Sequence, residues 1–122
     1  MSELTEFLLA RIAEDEEVAR ASDPYSWTAD SGDVYAGHPT ARIAEYIEVS
    51  WAAHIARHDP ARVLAECEAK RRIVEDFEVL DADYRVTHDP QTEARRFQAL
   101  IAASRIASVY ADHPDYREEW RP

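Results

Sequence analysis

The chain has 122 residues, 46% hydrophobic and 32% charged, the composition of a globular protein and enough for one domain spanning residues 1–122. Its formal charge of -11 disfavours direct nucleic-acid binding and anionic membranes, because both draw affinity from positive charge, and it admits a protein partner with a basic surface. Two glycines exclude a Gly-rich phosphate cradle, and one cysteine excludes a disulfide framework or a multi-cysteine zinc site.

The first segment, Glu3 to Ala21, reads as a helix. Leu4, Phe7, Leu8 and Ile12 recur at helical spacing, and Ser2 or Thr5 can cap it. An acidic block, Glu14 to Glu17, sits in its second half, where it opposes the helix dipole and is either solvated or kept for a partner. Asp23-Pro24 stops the helix, since a residue before proline avoids the α region.

Residues 25–49 have a different texture. Tyr25, Trp27 and Thr28 precede a turn at Ser31-Gly32, and Val34 and Tyr35 follow it, which predicts a short hairpin. Gly37-His38-Pro39 is a second break. Ala41 to Val49 fits either period, with a strand joining the hairpin the favoured reading. Ser50 to Arg57 reads as a short helix or turn.

Asp59-Pro60 marks the start of a second long helix, aspartate as N-cap and proline at the first helical position. Its stripe is Val63, Cys67, Lys70, Val74 and Phe77, and the pattern fades near Leu80, so Asp81 to His88 reads as a connector. Asp89-Pro90 repeats the start signal. A third long helix is expected over Gln91 to Tyr110, with Phe97, Leu100, Ile101, Ser104 and Ser108 on one stripe. His113-Pro114 ends it, and Asp115 to Trp120 can form a last turn. The expected class is mainly α (α+β): three long helices with a small antiparallel hairpin or sheet near residues 25–49.

Two groups of residues can carry function. His54 and His58 have the i, i+4 spacing of a two-histidine metal half-site. If the second and third long helices pair antiparallel, Asp112 and His113 come to the same end, while His88 lies at the other. Together His54, His58, Asp112 and His113 would suit Zn, Mn or Fe, and a metal-bound water could hydrolyse a phosphate-containing small molecule. No other cofactor is expected, and no catalytic residue is assigned: the serines lack a nucleophile elbow, and Cys67 lies on an apolar stripe. The second group is an interaction surface. Many aromatics, among them Trp27, Tyr46, Trp51, Tyr116 and Trp120, fall outside the helical stripes, and Trp and Tyr dominate interface energetics. With the acidic block they give Glu14, Asp15, Glu16, Glu17, Trp27, Tyr116 and Trp120 as candidate contacts.

The run from His54 through Asp59-Pro60 to Glu66, with Ala69 to Val74, and the ending Tyr110-Ala-Asp-His-Pro-Asp-Tyr-Arg-Glu-Glu-Trp120, resemble a small domain-of-unknown-function family of actinobacteria and their phages. The resemblance covers nearly the whole chain. It implies a source and a fold more than an activity. The opening residues hold no basic and apolar leader, and the lone cysteine suits a reducing compartment, so the expected location is the cytoplasm. The expected role is that of a non-enzymatic accessory protein acting through protein–protein contacts, with metal-dependent hydrolysis as the alternative. The wide apolar stripe of the second long helix leaves a homodimer open.

Overall fold

The computed structural model describes residues 1–22, 26–37 and 41–122. Among them it contains four α-helices and a three-stranded antiparallel sheet, so the fold is mainly α with a small β element. The chain divides into two compact units: residues 1–13 with 68–122, and residues 14–67.

In the first unit, α1 (Glu3–Ala21) contributes its opening turns. The Ser2 hydroxyl accepts the Thr5 backbone N–H at 3.1 Å, a local cap for donors that a helix start leaves unpaired. Leu4, Phe7, Leu8 and Ile12 are buried. So is Thr5, whose hydroxyl donates to Glu78. The long helix α3 (Pro60–Thr87) supplies Val74 and Phe77 to the core, and α4 (Pro90–Ala107) supplies Ala103, Ser104 and Ala107. The signal at Asp89-Pro90 operates as expected, Asp89 accepting the Thr92 N–H at 3.0 Å.

Two expectations for this unit need correction. The segment from Asp81 to Thr87 is helical, not a connector. Its apolar period fades because Val79 and Val86 face solvent, while nothing in the residue types breaks the helix before His88. Asp81 is buried and bridged by Arg96 at 2.7 Å and Arg85 at 3.0 Å, so a polar residue supports the pairing of α3 with α4. The helix stops at His88, which takes a left-handed φ of 51° and donates its N–H to the Tyr84 carbonyl. The face of α4 is also rotated from the expected stripe. Ala103 and Ala107 are fully buried, whereas Phe97 is exposed and Leu100 and Ile101 are half-buried. Alanine carries little weight in a hydrophobic pattern, yet its small side chain permits the closest packing. Beyond α4 the chain tightens into a 3₁₀ turn at Ser108–Tyr110, and a last one forms at Glu118–Trp120.

In the second unit the hairpin forms where expected. Strands β1 (Trp27–Asp30) and β2 (Asp33–Ala36) pair in register Trp27 with Ala36 through Asp30 with Asp33, leaving Ser31-Gly32 as the turn. Strand β3 (Ala41–Ala44) joins β2 antiparallel, with a register shift between Val34 and Tyr35. The strand reading of 41–49 thus holds for its first four residues, and α2 (Val49–Arg57) begins at its end. The breaks at Asp23-Pro24 and His38-Pro39 lie outside the described residues. Val34, Ala36 and Ala52 are buried as α2 lies against β1 and β2. Asp59 joins strand to helix: one carboxylate oxygen accepts the Arg62 N–H at 2.8 Å as the N-cap of α3, and the other accepts the Trp27 N–H at 2.9 Å. Cys67 is buried and takes part in no disulfide. No helix of the described residues is long and apolar enough to cross a membrane.

Candidate interaction surface

In the second unit, the run from β3 into α2 presents apolar side chains to solvent. Ile43, Tyr46, Val49 and Trp51 are exposed, Tyr46 to 89%. Tyr46 has a left-handed φ of 57°, a conformation that costs a bulky residue on the order of 1 kcal/mol or more. Three features of the hairpin hold it there. Asp33 Oδ1 accepts the Tyr46 N–H at 3.2 Å, and the Gly32 carbonyl accepts the Ile47 N–H at 3.0 Å. Gly32 also lies so close that a Cβ there would stand 2.3 Å from the Ile47 carbonyl oxygen. The backbone is therefore fixed by its surroundings, and the ring it carries is left in water.

The charges around this run are balanced locally. Arg42 bonds Glu45 at 2.7 Å and stacks over the Tyr35 ring. The bond to Glu45 first, then Tyr35 and Asp33, hold the Arg42 guanidinium protonated even beyond the ordinary arginine range. Over the whole unit, eleven acidic side chains face four basic ones, a net of -7. Sheet order β1-β2-β3 leaves β3 at an edge, and Ala41, Arg42 and Ile43 on it are exposed.

In the first unit the aromatics of the C-terminal segment gather around Phe7. Phe7 sits among Trp120 at 5.0 Å between ring centres, His113 at 5.6 Å, Tyr116 at 6.0 Å and Tyr110 at 6.3 Å. Arg11 lies over the same ring and contacts His113. Arg117 pairs with Glu3, which ties the end of the chain to the start of α1. A recess of about 300 Å³ beside Phe7, Arg11, Asp115 and Trp120 remains open.

The sequence model of a family of unknown function, DUF6221, matches residues 1–122. The chain belongs to this family. Neither the curated proteins nor the solved structures contain a match.

The DUF6221 fold distributes the residues singled out from the sequence between its units. Glu14, Asp15, Glu16, Glu17 and Trp27 belong to the second, Tyr116 and Trp120 to the first. Glu14 and Glu17 are exposed, Asp15 is half-buried, and Glu16 is buried with Arg20 4.0 Å away. Trp27 is half-buried. Tyr116 and Trp120 pack on Phe7, the arrangement of a tail docked on its own core. Of the metal candidates, His54 and His58 stand together in the second unit, while Asp112 and His113 belong to the first. There His113 Nδ1 accepts the Asp115 backbone N–H at 3.0 Å. Among the described residues no three His, Cys, Asp or Glu side chains are grouped as a metal site requires. The exposed run Ile43 to Trp51 escaped sequence reasoning as a surface. Its legible signals were Tyr46 and Trp51 among the aromatics outside the helical stripes and a segment, 41–49, that fits either period.

Proposed function

We propose that this DUF6221 chain is a non-enzymatic accessory protein of the cytoplasm that acts by binding another protein, and that the partner presents a basic surface. The observation that carries this reading is Tyr46, an aromatic side chain 89% exposed on a backbone held in a left-handed conformation by Asp33 and Gly32. Tyrosine and tryptophan bury much area at little rotamer cost, so Tyr46 and Trp51 are suited to act as anchors. The net charge of -7 on residues 14–67 favours a cationic partner through steering and complementarity. The motif resemblance supports an origin in actinobacteria or their phages.

The test is affinity capture from an actinobacterial lysate with the wild-type chain and with Tyr46→Ser/Trp51→Ser. Both substitutions replace exposed side chains, so the double variant retains its far-UV circular dichroism. The expected result is one protein retained by the wild type, released by rising salt and not retained by the variant. Retention of the same proteins by both forms would remove the assigned surface, and salt-insensitive retention would remove the basic partner.

A further inference from the structure

Two imidazoles meet at the C-terminal end of α2. His54 and His58 are separated by one helical turn, and their ring centres are 4.3 Å apart with planes inclined by 34°. Both residues are exposed. The tautomer of one ring follows from elementary chemistry. His58 Nδ1 lies 2.9 Å from the His54 carbonyl oxygen, which can only accept, so Nδ1 carries the proton. The His58 backbone N–H donates to the same oxygen at 3.1 Å. In the neutral ring the lone pair is then on Nε2, the nitrogen left open to a ligand. A histidine whose other nitrogen bonds a backbone carbonyl is the usual form of a metal ligand, because that bond fixes ring orientation and raises basicity.

We infer that His54 and His58 form a surface half-site for a divalent transition-metal ion of the imidazole-preferring class, Cu²⁺, Ni²⁺ or Zn²⁺, with water in the remaining positions. Two nitrogens on one tetrahedral ion stand about 3.3 Å apart, given bonds of roughly 2.0–2.1 Å. Rings already this close reach that span by rotation about side-chain bonds. The C-terminal carbonyls of α2 are the negative pole of the helix, and the unit carries an acidic excess, so both fields favour a cation.

The surroundings define how small the site is. Asp59, next in sequence, is buried, and its two oxygens are engaged by the Arg62 and Trp27 N–H groups. It is structural and supplies no third ligand. The recess beside the pair, about 290 Å³, is lined by Ser50, Ala53, His54, Arg57 and His58. Arg57 is the opposing charge there. The inference stands on the ring pair alone and is independent of the protein-binding reading.

The test uses the full chain, freed of metal, titrated with Cu²⁺, Ni²⁺ and Zn²⁺ salts by calorimetry and by NMR of the histidine ring nitrogens. One ion is expected per chain, tightest for Cu²⁺, with the resonances of His54 and His58 perturbed and those of the remaining histidines unmoved. His54→Ala and His58→Ala each abolish binding. Alanine has the higher helix propensity, so the His54 variant keeps its helix. Arg57→Gln tightens binding by removing the opposing charge. Zn²⁺ raises the Tm of the wild type and leaves that of His54→Ala unchanged, because a ligand bound only by the folded state stabilises it. Binding that survives in the double His54→Ala/His58→Ala variant, perturbation centred on other histidines, or no heat and no shift with any of the three ions overturns the inference.

Discussion

Replacing Phe7 with alanine removes the ring around which the C-terminal segment is organised. Phe7 is 6% exposed, so nearly all of its surface leaves water on folding. Truncating a buried phenylalanine costs about 3–5 kcal/mol, the transfer term plus that of the cavity left behind. Phe7 lies at the upper end of that range. Four aromatic rings and the Arg11 guanidinium surround it, and well-placed aromatic pairs add about 0.5–1.5 kcal/mol beyond area. We expect a loss of about 4–5 kcal/mol, a large share of the roughly 5–15 kcal/mol that stabilises a typical domain. Urea unfolding followed by circular dichroism measures the total. The Trp120 indole resonance and amide exchange over residues 113–121 report whether the segment has come loose. Phe7→Leu keeps apolar volume without ring partners and is expected to cost distinctly less. A loss under about 1.5 kcal/mol for Phe7→Ala, or an unmoved Trp120 resonance, would refute the placement of Phe7 at the centre of this cluster.

Three further outcomes follow from local geometry. Asp59→Ala removes the N-cap of α3 and leaves the Trp27 N–H without its acceptor, so a loss of about 2–3 kcal/mol is expected in urea unfolding. Asp59→Asn, which keeps an acceptor, should lose less. Gly32→Ala forces a Cβ to within 2.3 Å of the Ile47 carbonyl oxygen, so the hairpin and the Tyr46 segment must separate. A displaced Tyr46 amide resonance and a loss of about 1–3 kcal/mol are expected, and an unchanged spectrum would contradict the close approach. The Glu118 carboxyl, hydrogen-bonded by Arg121, titrates below the ordinary glutamate value of 4.5. Its folded pKa is lowered, so the pair's contribution is present above that ordinary value and lost as pH falls through the lowered one. An NMR titration should show the low midpoint, and Arg121→Gln should return it to the ordinary range.

Much of the fold was legible because it is written in local chemistry. The span of α1, the caps at Asp59 and Asp89, and the turn at Ser31-Gly32 depend on a few neighbouring residues. What could not be read depends on packing. The last turns of α3 carry exposed valines on one side and a buried aspartate on another, so their apolar period is absent although the helix continues. The inner face of α4 is made of Ala103, Ser104 and Ala107, which a hydrophobic pattern passes over in favour of Phe97. The exposed run from Ile43 to Trp51 is legible only once the sheet shows which side chains it leaves uncovered. Its aromatics stand out in the sequence, but exposure is a property of the assembled unit.

The first unit is discontinuous in sequence: residues 1–13 wait for partners that lie beyond residue 67. Residues 14–67 are contiguous and can acquire their structure during synthesis. Phe7, by contrast, meets Tyr116 and Trp120 only after more than a hundred further residues have been added. At about 5–20 residues per second that interval is roughly 5–20 s, during which the apolar turns of α1 are held without their native cover. Over that interval these turns expose the kind of apolar surface that makes incompletely folded chains prone to aggregate.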